Sequence, residues 1–169
     1  LSVTSNTSIM KKKSLLIGLA ALLFPMSMAA QYTIYPVPHS QTAGTGTVNF
    51  TPTVNVVCED GIDIYTRNRV QQILGDHGLT TRITDTPIEA EANIFLGVKG
   101  SNGVAVQKAA ALGLNTDVLS KANKFDRHIL SLTDGGSGNA QLVIIGENTD
   151  ATFYGLASLE QMLDQGTTG

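Results

Sequence analysis

Residues 141–157 read Gln141-Leu142-Val143-Ile144-Ile145-Gly146-Glu147-Asn148-Thr149-Asp150-Ala151-Thr152-Phe153-Tyr154-Gly155-Leu156-Ala157. The run Leu142 to Ile145 has no polar alternation, which predicts a central strand covered on both faces. Asn148, Thr149 or Asp150 then caps a helix. In it Phe153, Leu156, Ala157, Met162 and Leu163 follow the i, i+3, i+4 rule of one apolar face.

Working back from there, Asp126 to Thr133 is a second strand. The glycine-rich link Asp134 to Asn139 joins it to Gln141–Ile145 as a hairpin. Asn93 to Val98 and Thr80 to Thr84 are further strands. Thr53 to Cys58 is valine-rich, with Val54 and Val56 on one face and Val57 on the other, as a pleated strand requires. Between these, Ile62, Thr66, Val70, Ile73 and Leu74 recur at helical spacing behind a cap at Asp60 or Asp63. Gly78, just past His77, is placed to close that helix in a left-handed turn. Val104 to Leu114 is a second, alanine-rich helix, and Leu114 to Lys124 is irregular or partly helical. The order is strand, helix, strands, helix, hairpin, helix. It predicts an α/β domain, an α+β sandwich of one mixed sheet with helices packed against it.

The N-terminal end is of another kind. Met10 precedes Lys11-Lys12-Lys13, an apolar run from Leu15 to Phe24, and small residues around Ser27-Met28-Ala29-Ala30. That pattern predicts a secretory signal peptide over 10–30, behind an upstream extension of 1–9. The apolar run is shorter than the roughly 20 residues a bilayer span needs. The expected mature domain covers 31–165, with 166–169 as the start of a linker, exported to the periplasm or the medium. Without the three signal lysines, eight basic residues face fourteen acidic ones, a net charge of −6. An acidic chain with no basic cluster is poorly suited to nucleic acid or to an anionic membrane surface once the signal is removed.

Chemistry-bearing patterns are sparse. Cys58 is the only cysteine, so no internal disulfide forms; at the end of an apolar run it reads as a small buried hydrophobe. Glu59-Asp60 is the only adjacent acidic pair and reads as a cap with a solvated neighbour. His39, His77 and His128 share no metal-ligand spacing, and His77 sits in a last helical turn, where positive charge suits the dipole. Gly97, Gly100 and Gly103 recur between a strand and a helix, as in phosphate-binding loops, yet match neither glycine fingerprint. A plain loop is the simpler reading. Tryptophan is absent; Tyr32, Tyr35, Tyr65 and Tyr154 are the tyrosines that could contact a sugar, each with a core or edge role available. These patterns predict no catalytic, cofactor-binding or metal-binding residue, and no cofactor.

Three stretches carry a resemblance. Tyr35-Pro36-Val37-Pro38-His39-Ser40 resembles the Y-P-x-P segment that begins many bacterial hexosaminidases. Asn148 to Met162 resembles their domain-closing helix, where an acid, two aromatics and a glycine precede a leucine–glutamine run. Lys124 to Leu132, followed by Leu142 to Gly146, is similar to the paired strands of glycoside hydrolase family 84, the O-GlcNAcase and hyaluronidase-like group. Family 20 hexosaminidases begin with a similar domain. The resemblance implies a small accessory α/β domain packed beside a catalytic barrel. It also implies a parent that removes terminal N-acetylglucosamine or N-acetylgalactosamine, with the substrate's acetamido oxygen as nucleophile. In such families the carboxylates lie on the barrel, so none is carried onto this chain. The rival readings are a stand-alone exported glycan-binding or cell-envelope module and, on the glycine loop alone, a nucleotide-binding enzyme.

Overall fold

The computed structural model describes residues 32–44, 46–121 and 125–166. The expected signal peptide and upstream extension, and 167–169 of the expected linker, lie outside the described residues. Strands β1 (Thr53–Cys58), β2 (Thr80–Thr84), β3 (Ala92–Val98), β4 (His128–Thr133) and β5 (Gln141–Gly146) form one sheet in the order β2-β1-β3-β5-β4. The first four neighbours in that order run parallel, and β4 pairs antiparallel with β5 as the expected hairpin. Helices α1 (Ile64–Asp76), α2 (Val104–Ala111) and α3 (Thr149–Gly166) cover it, with a 3-10 turn at Asp117–Ser120. The chain is therefore a three-layer α/β domain around a mixed sheet.

Strand alternation decides which helix goes where. Val54, Val56, Cys58, Ile94, Leu96, Leu142 and Ile144 point to α1 and α3, meeting Val70, Ile73, Leu74, Leu156, Leu159 and Leu163. Val57, Phe95, Val143 and Ile145 point the other way, to Ala105 and Ala109 of α2 and to Leu119. Leu142 to Ile145 is thus buried on both faces, as its unbroken apolarity requires. Each large side chain so buried contributes roughly 1.5–3 kcal/mol relative to exposure.

The helix ends follow their local chemistry. Asp63 is the α1 cap, accepting the Thr66 amide at 2.7 Å, and that bond holds its carboxyl below the usual range. Asn148 caps α3, accepting the Ala151 amide at 2.8 Å. Gly78 closes α1 with φ +74, a left-handed conformation that costs glycine little. Two expectations shift. The second helix stops at Ala111 rather than Leu114, because Gly113 (φ +66) turns the chain and the Leu114 amide folds back onto the Ala109 carbonyl. The buried face of α3 is Ala151, Thr152, Gly155, Leu156, Leu159, Met162 and Leu163; Ala157 is exposed and Phe153 half-buried. Small Thr152 and Gly155 face the sheet, which brings the helix close and rotates the larger Phe153 towards its flank.

The α2 side is finished by polar groups rather than by helix. Eight helical residues reach only about 12 Å. At the amino ends of the strands, Asn55, Asn93 and Gln141 lie side by side in register. Asn55 donates to Asn93 Oδ1 (2.9 Å) and the Thr86 carbonyl (3.0 Å), and Asn93 exchanges bonds with Ile88 (2.9 Å each way). The 85–91 loop is thereby tied over the uncovered half of the sheet.

A lead-in segment crosses the outside of α3. Gln161 accepts from the Tyr35 amide (2.7 Å) and donates to its carbonyl (2.7 Å); Gln165 does the same for Thr33 (2.8 and 2.9 Å). Tyr32 and Ile34 pack against the core between them.

Helices α1 and α3 are joined by two ion pairs, Arg69–Glu160 (2.5 Å) and His77–Asp164 (3.0 Å). The His77 ring also meets the Ile73 carbonyl at 2.8 Å; that contact and Asp164 raise its pKa above the usual 6.5. Because the folded-state value is the higher one, the stabilisation is complete below about pH 6.5 and is lost as pH rises through the folded pKa. Urea midpoints are accordingly expected to fall between pH 6 and 8, and to fall less in Asp164→Asn; equal pH slopes in the two proteins would remove the Asp164 pair as a cause and leave the Ile73 carbonyl.

Candidate functional site

All three helices start at the carboxyl edge of the sheet, because α1, α2 and α3 each follow a parallel strand. In open α/β sheets a ligand crevice forms at this edge where successive connections leave on opposite faces. Here that point lies between β1 and β3, since α1 and α2 cover opposite faces.

The crevice is filled by the protein's own carboxylate. Glu59, immediately after β1, is buried, and its Oε1 accepts the Val106 amide in the first turn of α2 at 2.9 Å. Its Oε2 is bonded to the Ser101 hydroxyl and lies 3.4 Å from the Val98 amide. Gly103, the α2 cap residue, has no side chain to bond the helix amides, and Glu59 supplies the missing acceptor from another element. The negative group also complements the helix N-terminus. Gly97 and Gly103 make the space: a Cβ at either would lie under 3 Å from the Glu59 carboxylate. The glycine loop is thus a seat for an internal anion, and the nucleotide-binding reading loses its only support. Asp60, the other half of the acidic pair, is exposed. The cap assigned to that pair serves α2 rather than α1.

Beside it, Thr152 ties the strand ends together. Its hydroxyl donates to the Gly97 carbonyl (2.8 Å) and accepts the Gly146 amide (3.0 Å). Thr152→Val keeps the shape and removes both bonds, stranding two buried backbone groups, so we expect a loss of about 2 kcal/mol. A urea midpoint unchanged from the parent protein would show these groups to be solvated.

The other feature of this edge is a shallow cleft lined by Asp63, Tyr65, Asp150, Phe153 and Tyr154, at the starts of α1 and α3. Thr149 holds the two helix ends together, its hydroxyl 3.3 Å from the Asp63 amide. Two carboxyl groups in one cleft invite comparison with a glycosidase pair, in which one acid has a raised pKa. Asp63 is shifted the opposite way and serves as a cap, so the cleft holds no such acid–base arrangement at Asp63. Phe153 and Tyr154 meet edge to face, with centroids 6.0 Å apart.

The remaining candidates are scattered. His39 is exposed, His77 ends α1, and His128 lies half-buried on β4 against Gly155. Burial pushes the His128 pKa down. Among the described residues no group of three His, Cys, Asp or Glu side chains could hold a metal ion. Cys58 is buried in the α1/α3 face with its thiol pKa pushed up to about 11, which makes it an inert hydrophobe. Arg127 braces the 3-10 turn, donating to the Leu119 carbonyl (3.2 Å) and pairing with Glu147 (3.2 Å). No helix among the described residues is long and apolar enough to cross a membrane. Thr152 and Gln165 are organising polar residues that the sequence reading did not single out. Glu59 was read there as a cap without its helix, and Gln161 only as part of the leucine–glutamine run. The bare glycine at the start of α2, a helix end without its own acceptor, is the signal that links Glu59 to α2.

These features define a closed α/β domain, in which the crevice where open α/β sheets bind ligands is internally occupied. The chain belongs to the family described as glycosyl hydrolase family 20, domain 2, whose model matches residues 31–169. Among solved structures it is similar to one described as "Structure of CpGH84D", at 29% identity and a TM-score of 0.71, over 80% of this chain and 21% of that one. It thus spans about a fifth of that relative's length. A second, described as a "GH138 enzyme targeting pectin rhamnogalacturonan II", is 19% identical over 69% of this chain and 14% of its own, at a TM-score of 0.47, and adds nothing to the assignment. No curated protein matches the chain. The resemblance to families 84 and 20 is therefore sound, and the domain is of a kind found in multidomain glycoside hydrolases.

Proposed function

We propose that this chain is the non-catalytic accessory domain of an exported β-N-acetylhexosaminidase, supporting a catalytic barrel by packing against it. The barrel would remove terminal N-acetylglucosamine or N-acetylgalactosamine, using the substrate's acetamido group as nucleophile and its own carboxylates to orient it. The observation that carries this reading is the family match across residues 31–169, joined by the likeness to CpGH84D. The test is hydrolysis of an aryl N-acetylglucosaminide, with activity expected from the parent hydrolase and none from residues 31–169 alone. Efficient turnover by the domain alone would overturn the accessory role. Export rests on the Met10–Ala30 pattern. A mature N-terminus near Gln31 is expected in periplasm or medium; a retained Met10 in the cytoplasm would refute it. The cleft with Tyr65 and Tyr154 also favours, more weakly, a glycan-binding module, which would retain N-acetylglucosamine oligomers without the barrel.

A further inference from the structure

Six large apolar side chains are exposed among the described residues: Tyr35, Val37, Ile64, Tyr65, Phe125 and Tyr154. Five of them belong to the α1/α3 layer and the segment strapped over it, and only Phe125 lies elsewhere. Helical spacing shows how they share a surface. Tyr154, Ala157, Gln161 and Gln165 fall within about 80° of one another on the side of α3 opposite Leu159 and Leu163. Gln161 holds Tyr35 on that same side, so Tyr35 (66% exposed) and Val37 (77%) extend the stripe that Tyr154 (52%) begins. Tyr65 (74%) adjoins its upper end across the cleft. Contiguous apolar exposure of this kind marks an interaction surface, whereas single exposed residues do not.

We propose that this outer face of α3, from Tyr65 through Tyr154 to Tyr35 and Val37, is where the catalytic domain of the parent hydrolase seats. The inference rests on the accessory-domain reading above and adds the surface and orientation. Three observations select that occupant. The chain is one numbered domain of a multidomain family and spans 21% of its solved relative, so a much larger body accompanies this fold there. The charges between α1 and α3 beneath the face are paired with each other, Arg69 with Glu160 and His77 with Asp164. An apolar centre with polar groups at its border (here the carboxylates of Asp63 and Asp150) is the composition of a protein interface. A glycan fits less well, because the Phe153–Tyr154 pair meets edge to face rather than offering one flat platform, and Asp63 is engaged by the Thr66 amide.

The experiment is hydroxyl-radical footprinting of the full-length parent, with hydrolysis of an aryl N-acetylglucosaminide measured on the same sample. Tyr35, Tyr65 and Tyr154 are expected to oxidise several-fold more slowly than their exposure in this domain implies, while Phe125 reacts freely. Tyr154→Arg in the parent should restore oxidation at Tyr65 and split thermal unfolding into two transitions. Free oxidation of all three tyrosines in an active parent would overturn the interface and leave the hydrolase reading standing. Protection that arises only on adding N-acetylglucosamine oligomers would replace the interface by a glycan site. Protection in a parent without N-acetylhexosaminidase activity would keep the interface and overturn the proposed activity.

Discussion

Gly146→Ala is expected to destabilise the domain by about 3 kcal/mol, lowering the melting temperature by roughly 10 °C. Gly146 ends β5 where α3 begins to pack over the strand. A Cβ there would stand 2.5 Å from the Asn148 carbonyl oxygen and 2.6 Å from the Thr152 hydroxyl, with the Thr152 amide closer still. These are mostly backbone atoms of the first turn of α3, so no side-chain rotation relieves the overlap. The helix must move, and with it the Thr152 hydroxyl that links β3 to β5. Gly75→Ala is the control, because a Cβ in that part of α1 meets nothing within 4 Å. It should stabilise by about 0.5–1 kcal/mol through helix propensity. Paired thermal melts decide the matter: similar behaviour of the two variants would contradict the close packing of α3 on β5.

The second large effect is a coupling. Gly103→Ala alone is expected to cost about 2–3 kcal/mol, because its methyl would lie 2.5 Å from Glu59 Oε1 and would expel the carboxylate from its amide partners. Glu59→Ala alone should cost about as much, leaving the Val106 and Val98 amides and the Ser101 hydroxyl without their shared acceptor. Together the costs should fall short of their sum by about 2 kcal/mol, since the methyl then occupies space the carboxylate has vacated. Urea unfolding of the four proteins closes the cycle. Simple additivity would mean that Glu59 does not sit between those glycines.

The difference between the legible and illegible parts of this molecule has a physical origin. Strand alternation and helical period are local, so Val54/Val56 against Val57, and Leu142 to Ile145, announced which faces are buried. The Asp63 and Gly78 helix ends are equally local, because caps act within three or four residues. The strand order and the placement of α1 and α2 on opposite faces depend on contacts between β1 and β3, about forty residues apart, and periodicity carries no trace of them. The same distance hid the role of Glu59, whose partners Val98, Ser101 and Val106 lie 39–47 residues further on. Its glycine seats were visible but looked like a site for an external anion, since a backbone shaped for a carboxylate resembles one shaped for a phosphate. On α3 the apolar period located the helix, but Thr152 and Gly155 turned it, leaving Ala157 in solvent and Leu159 inside.

The two glutamines of α3 have a consequence for how the lead-in can vary. Four residues of helix rise about 6.0 Å, and two residues of extended chain about 6.6 Å. The spacing of Gln161 and Gln165 is therefore nearly commensurate with that of Tyr35 and Thr33, and the helix acts as a ruler laid along a peptide running the opposite way. A carboxamide meets only the amide and carbonyl of each residue, so the ruler is blind to the side chains at 33 and 35. It would accept a slip of two residues as readily as the native alignment. What prevents the slip is the pair of opposite parity, Tyr32 and Ile34, which pack half-buried against the core. Positions 32 and 34 are consequently where substitution would misalign the strap, whereas the outward positions 33 and 35 are left free for whatever surface the domain must present.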